Sequence, residues 1–127
     1  MHTCFMLFTK EKPTYEEIEK ILEPYYEDTV YDNYFNGDAA PKLMWDWYTI
    51  GGRYSHILEG NESLPASEVK DYDNLSTYGC IDVDGTGYAK EYWDTKDWIV
   101  EPDYWDRLKE IKERNKDCWV TILDLHD

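Results

Sequence analysis

The chain has 127 residues, enough for one domain, and its six Trp, twelve Tyr and three Phe supply apolar surface that disordered chains lack. Acidic residues outnumber basic ones 28 to 13, a formal net charge of −15 at pH 7, and residues 21–89 alone hold thirteen acidic residues against three basic ones. This charge argues against direct binding to a phosphate backbone, which requires clustered Lys and Arg, and it favours basic partners.

An apolar run and a capped helix open the chain. Residues 3–9 form an almost continuous run of strand formers, which is typical of a buried central strand. Thr14 and Glu17 then have the spacing of a capping box, in which each side chain satisfies a free backbone N–H of the first helical turn. Apolar residues follow at helical spacing, and Pro24 predicts that the regular helix ends near Glu23.

The middle of the chain is irregular and rich in aromatic residues. Residues 27–42 predict a loop or an irregular strand, with a turn at residues 36–38 and a further break at Pro41. Residues 43–58 form an aromatic segment, and residues 59–74 are polar and predict an excursion over the surface.

A hairpin, a second helix and a closing strand complete the prediction. Residues 78–83 and 88–93 flank an Asp-Gly-Thr-Gly turn, the arrangement of a β-hairpin. Asp103 predicts the N-cap of a helix with Trp105 on its apolar side, and residues 118–125 predict the last strand. This order predicts one α+β domain over residues 1–127, with an antiparallel or mixed sheet and two helices on one face, as in a ferredoxin-like sandwich.

The least ordinary stretch is an aromatic motif interrupted by two glycines. Its candidate binding residues are Trp45, Asp46, Trp47, Tyr48, Gly51, Gly52, Arg53 and Tyr54. Strand alternation predicts Trp45 and Trp47 on one side and Asp46 and Tyr48 on the other. One interpretation is an aromatic wall where Arg53 and two exposed backbone N–H groups of the glycines hold a planar or anionic ligand or form a binding hot spot for a partner. The alternative is that the Trp residues fill the core, the glycines form a β-bulge and Arg53 pairs with Asp46.

The string Trp-Asp-Trp-Tyr-x-Ile-Gly-Gly-Arg followed by an aromatic residue resembles the signature of a group of small bacteriophage proteins, most of which have no assigned activity. The layout of that group is similar: an apolar first strand, this motif, an Asp-Gly hairpin and a last strand ending in Asp-x-His, here residues 124–126. Tyr54 stands where the group is expected to have Trp, and residues 59–76 are unmatched. The resemblance implies a phage protein acting in the cytoplasm of a host bacterium.

The sequence gives no indication of a membrane or secreted protein. No apolar run approaches the roughly 20 residues that span a bilayer, and residues 1–10 lack the order of a signal peptide. We therefore expect a cytoplasmic protein without a membrane partner.

Metal ligands and cofactor motifs are not evident. The cysteines are far apart, without a Cys-x-x-Cys pair, and predict free thiols: Cys4, Cys80 and Cys118. Residues 82–91 approximate a calcium loop, but a cysteine occupies the first ligand position, which favours a hairpin turn. His2, His56 and His126 would serve as ligands or bases only if the fold gathers them, so we expect no metal and no cofactor.

Three functional hypotheses remain open, and without a catalytic motif we expect a binding protein and not an enzyme. The first is a phage-encoded inhibitor of anti-CRISPR or anti-defence type that mimics nucleic acid on a basic host protein. Its candidate acidic surface comprises Glu59, Glu62, Asp71 and Asp73. The second is a protein that binds or sequesters a small molecule such as a nucleotide signal through the aromatic motif, and the third is a structural phage protein. The acidity equally suits general solubility.

Overall fold

The computed structural model describes residues 1–37, 42–94 and 96–127. The strands in these ranges are β1 (His2–Thr9), β2 (Trp47–Ile50), β3 (Ser63–Pro65), β4 (Gly79–Ile81), β5 (Gly87–Ala89), β6 (Glu91–Trp93), β7 (Trp98–Val100) and β8 (Trp119–His126). The α-helices are α1 (Tyr15–Leu22), α2 (Glu27–Phe35) and α3 (Tyr104–Arg114), and 3₁₀ turns cover Glu23–Tyr25, Gly52–Leu58, Ala66–Glu68 and Tyr72–Asn74. None of the helices in these ranges combines the length and the apolar composition that crossing a membrane requires.

One mixed sheet organises the chain. Its strand order is β2, β8, β1, β4, β5, and β3 pairs with the other end of the β8 edge that β2 occupies. Strand β1 runs antiparallel to β8 along its whole length and parallel to β4. A separate two-stranded ladder joins β6 to β7. The predicted α+β fold with a mixed sheet is therefore confirmed.

Each face of the sheet carries its own hydrophobic layer. Phe5 and Leu7 of β1 pack in the layer that includes the buried side chains of α1, whereas Met6 and Phe8 pack in the layer that includes those of α3. We call these the α1 face and the α3 face. The prediction that two helices share one face is wrong, because a strand that is apolar on both sides needs a cover on both sides.

The strand connectivity also departs from a ferredoxin-like sandwich. That fold contains a split β-α-β unit, in which another strand separates the two parallel strands. Here the parallel strands β1 and β4 are direct neighbours. The ferredoxin-like prediction is therefore wrong in both helix placement and strand order.

The start of the chain follows its local signals. The backbone N–H of Glu17 donates to Thr14 Oγ1 at 3.2 Å, and Glu17 Oε1 accepts from the Thr14 N–H at 3.3 Å, which completes the predicted capping box. Helix α1 ends at Leu22, and Pro24 lies in the 3₁₀ turn that follows, as its position predicted.

Helix α2 lies where the sequence predicted a loop or an irregular strand, and that prediction is wrong. Among the helix residues whose side chains the structure describes, Val30 is the buried apolar one, and the others are partly or fully exposed. Tertiary contacts fix its start, since the Glu27 N–H donates to the Trp45 carbonyl at 2.8 Å. The chain turns at Asn36 and Gly37, whereas residues 38–41, including the predicted break at Pro41, lie outside the described residues.

The second half contains three corrections. The predicted strand 88–93 is divided, because β5 completes the hairpin with β4 while β6 pairs with β7. Asp103 stands at the N-cap of α3 without a capping hydrogen bond from its side chain, and Trp105 is exposed, not on the buried side. The polar excursion 59–74 includes β3, which adds to the sheet, and Val69 is buried within it.

Candidate functional site

Three strands bring distant parts of the chain together at one end of the sheet. The register places Trp47, His126 and His2 side by side on β2, β8 and β1. The ring centroids of His2 and His126 are 5.0 Å apart, although 124 positions separate the residues in the sequence. Strand alternation places this row on the α3 face, because Ile122 of β8 belongs to the core layer of that face. The fold thus gathers two of the three histidines.

Asp124 is the buried centre of this arrangement, with an exposed fraction of 2 %. Its Oδ1 lies 2.7 Å from Nδ1 of His2, and its Oδ2 accepts a hydrogen bond from the backbone N–H of Arg53 at 3.0 Å. A buried carboxylate requires such donors, because burial without them carries a large desolvation cost. Asp124 therefore fixes the orientation of the His2 ring.

A second Asp–His pair lies beside the first. Nδ1 of His126 is 2.8 Å from Oδ1 of Asp46, and the backbone N–H of Asp46 donates to the carbonyl of His126 at 2.8 Å. The side chains of His2 and His126 are 20 % and 38 % exposed. In both pairs the carboxylate engages Nδ1, so Nε2 is the ring nitrogen left available to a ligand.

Trp47 borders both imidazoles and is open to solvent. Its ring centroid lies 6.3 Å from that of His2 and 6.4 Å from that of His126, and 55 % of the residue is exposed. The interpretation in which the Trp residues of the motif fill the core is wrong for Trp47. The sheet surface here offers an aromatic plane next to two imidazole rings.

The two glycines have a structural role in this site. Gly51 and Gly52 have φ values of +74° and +52°, which side-chain-bearing residues rarely adopt. A Cβ added to Gly52 would lie 2.5 Å from Oδ2 of Asp124, so only glycine permits the close approach that brings the Arg53 N–H to the carboxylate. The Gly51 N–H donates to the Ile122 carbonyl at 2.7 Å, so the predicted pair of free N–H groups is wrong.

The structure separates the two predicted Trp neighbours. Trp45 packs against Tyr48 on the α1 face, with ring centroids 5.1 Å apart, and its indole N–H donates to the Leu22 carbonyl at 2.8 Å. The predicted alternation is wrong for Trp45, because β2 begins only at Trp47 and Trp45 forms an isolated bridge with Tyr26. Within β2, Trp47 and Tyr48 lie on opposite faces as predicted. Trp45 also lines a groove with three carboxylates and one Lys, surroundings that repel anions.

Arg53 and Tyr54 continue the chain over the α3 face. Arg53 is exposed, and among the described residues its guanidinium forms no ion pair; the predicted pairing with Asp46 is wrong, because that carboxylate bonds His126. Tyr54 packs against the α3-face core, where burial, together with the nearby Cys4 and Asp124, raises the pKa of its phenol.

The Cys4 thiol stands next to Asp124 on the neighbouring strand. Burial, followed by the charge of Asp124, raises the pKa of Cys4 to about 12. The thiol is therefore protonated near neutral pH and does not act as a nucleophile. The described parts of the chain gather no group of three or more His, Cys, Asp or Glu side chains suited to a metal ion.

The four residues of the predicted acidic surface are all exposed: Glu59, Glu62, Asp71 and Asp73. Glu62 accepts a hydrogen bond from the Tyr15 hydroxyl at 2.7 Å. Within residues 1–37, 42–94 and 96–127, none of the four carboxylates forms an ion pair.

Sequence reasoning did not foresee the two Asp–His pairs. It named His2 and His126 only conditionally, and it noted Asp124 only as the start of the Asp-x-His string that ends the last strand. The available signal was the Asp-x-His string at the end of β8, which antiparallel pairing with β1 places opposite the histidine at the start of the chain. Comparison with protein families, curated proteins and solved structures gives no match, so the resemblance to phage proteins stays a prediction.

Proposed function

We propose that the protein binds a small anionic ligand of nucleotide type at the surface formed by Trp47, His126, His2 and Arg53, which we call the histidine surface. The observation that supports this is the cross-strand row of an exposed indole and two imidazoles, each oriented by a carboxylate. This proposal corresponds to the second hypothesis from the sequence.

Phosphate recognition by this surface depends on its donors. A protonated imidazole whose Nδ1–H bonds a carboxylate still offers its Nε2–H to a ligand. The exposed guanidinium of Arg53 adds a group suited to bidentate hydrogen bonds with phosphate. A single Arg in acidic surroundings is a poor anion site, and the two imidazoles add further hydrogen-bond donors for the anion. The net charge of −15 repels a long polyanion, which favours a ligand with few phosphates.

Trp47 supplies the complementary apolar contact. A nucleobase stacked on an exposed aromatic side chain gains about 1–3 kcal/mol. Because the indole lies next to both imidazoles, a ligand that carries a ring and a phosphate would contact both kinds of group at once. This combination distinguishes a nucleotide from a simple inorganic anion.

Isothermal titration calorimetry with AMP and with inorganic phosphate tests the proposal. We expect AMP to bind more tightly than phosphate, and we expect His126→Gln and Trp47→Leu each to weaken AMP binding by about 10- to 100-fold, because a charge-assisted hydrogen bond or a stacking contact contributes about 1.5–3 kcal/mol. The matched controls His56→Gln and Trp105→Leu change exposed residues of the same types elsewhere. AMP binding that is absent, or equally affected by the controls, would overturn the proposal.

The exposed carboxylates support a second candidate, an inhibitor of a basic nucleic-acid-handling protein. The four exposed carboxylates form no ion pair in the described structure and can occupy Lys and Arg sites of a partner, Glu62 by exchanging its hydrogen bond from Tyr15. Replacing Asp71 and Asp73, or Glu59 and Glu62, by Lys should slow association with candidate defence complexes and flatten its salt dependence. Association rates unchanged by these reversals at low and high ionic strength would refute this candidate.

A further inference from the structure

We propose that the histidine surface is catalytic: His2 and His126 act as a general acid and base pair that cleaves the phosphodiester bond of a small ribonucleotide. This inference rests on the proposed function, because the substrate must first bind beside Trp47. This inference goes beyond the sequence-based expectation, which was a binding protein without catalytic activity.

The orientation of the two rings is the first argument. A carboxylate at 2.7 Å from Nδ1 of His2, and another at 2.8 Å from Nδ1 of His126, requires the Nδ1–H form of each ring. Each neutral ring then presents the Nε2 lone pair as a base, and each protonated ring presents Nε2–H as an acid. Pairing with an aspartate in this way fixes the tautomer and stabilises the imidazolium that forms during proton transfer.

The spacing of the rings is the second argument. General acid–base cleavage requires two proton-transfer groups on the two sides of one phosphorus atom. With centroids 5.0 Å apart and an edge-on angle of 70° between the planes, the two rings can address different oxygens of one phosphate group. The backbone N–H of Arg53 lies 3.0 Å from Oδ2 of Asp124, and its guanidinium is exposed, so this side chain would stabilise the negative charge that develops on the phosphoryl oxygens.

The reaction needs only groups present on this surface and on the substrate. One imidazole, in its neutral form, accepts the proton of the ribose 2′-hydroxyl at Nε2 while O2′ forms a bond to phosphorus. The bond from phosphorus to the 5′ oxygen breaks, and the other imidazole, in its protonated form, donates its Nε2 proton to that oxygen. The products are a 2′,3′-cyclic phosphate and a free 5′-hydroxyl, and the two rings have exchanged protonation states. An internal nucleophile suits this site because the Cys4 thiol stays protonated.

The test uses the full chain with the dinucleotide UpA and with its 2′-deoxy analogue, which lacks the nucleophile. We expect UpA to yield 2′,3′-cyclic UMP and adenosine with a bell-shaped pH dependence, and the deoxy analogue to bind without cleavage. His126→Gln and His2→Gln should each lower the rate by about 100- to 10,000-fold, whereas His56→Gln should leave it unchanged. Melting curves show that each variant is folded.

The outcomes separate the two proposals. Binding of the deoxy analogue without cleavage of UpA would overturn the catalytic inference and leave the binding site standing. Cleavage that persists in both histidine variants would also overturn it, because the activity would then come from elsewhere. If the protein neither binds the deoxy analogue nor cleaves UpA, the proposed function is refuted together with the catalytic inference.

Discussion

Gly52→Ala is the substitution whose cost follows most directly from the geometry of the site. The backbone at Gly52 has φ of +52°, and an alanine there costs about 1–2 kcal/mol for the left-handed conformation alone. The new Cβ would also lie 2.5 Å from Oδ2 and 2.7 Å from Cβ of Asp124, a clash that adds about 1–3 kcal/mol because the carboxylate is buried and held by hydrogen bonds. We therefore expect a total loss of about 2–5 kcal/mol in the free energy of unfolding.

Gly60→Ala is the matched control. Gly60 also has a positive φ, +86°, but an added Cβ meets no atom within 4 Å, so only the conformational cost applies. Urea unfolding followed by Trp fluorescence should show Gly52→Ala less stable than Gly60→Ala by about 1–3 kcal/mol. Equal destabilisation of the two variants would refute the close packing of the glycine turn on Asp124.

Three further predictions concern the scaffold. Burial alone would raise the pKa of Asp82, but hydrogen bonds from Asn115, Arg114 and the Val83 N–H outweigh it and lower that pKa, so this carboxylate stabilises the fold above its unfolded pKa. The melting temperature should therefore fall as pH drops through the folded pKa, and less steeply in Asp82→Asn; identical pH profiles would contradict this. Lys112→Met should cost about 1–3 kcal/mol in urea unfolding, because the buried ammonium donates to two backbone carbonyls, and no loss would refute it. Calcium should leave the melting temperature unchanged, since the hydrogen bonds from Asn115, Arg114 and the Val83 N–H already engage the Asp82 carboxylate. A melting temperature that rises with the calcium concentration would contradict this.

Local signals predicted local structure well. Thr14 and Glu17 carry both halves of a capping box within four residues, and the Asp-Gly turn at Gly85 closes the hairpin between β4 and β5. These elements depend on interactions between close neighbours in the chain. Helix α2 shows the opposite case, since contacts with Trp45, far along the sequence, place it.

The sequence already indicated that both faces of the central strand are buried. The run from Phe5 to Phe8 is apolar at every position, which indicates a strand covered on both sides. The choice of a sandwich with helices on one face conflicted with that pattern. The structure resolves the conflict by placing α1 and α3 on opposite faces.

The candidate site was found only in part, because it depends on pairing between the ends of the chain. The unusual composition of residues 45–54 drew attention to Trp47 and to the glycines. No local pattern states that β1 pairs with β8, and that register alone brings His2 to Asp124 and to His126. Non-local strand pairing is therefore the step that sequence reasoning lacked.

The central claim is that two aspartates fix two neighbouring imidazoles in a ligand-binding arrangement, and side-chain ¹⁵N NMR of the histidines measures this directly. We predict that neutral His2 and His126 carry their proton on Nδ1, and that adding AMP shifts the Nε2 signals of both rings while His56, which is exposed elsewhere, does not respond. Protons on Nε2 in His2 and His126, with no response to AMP, would contradict the account.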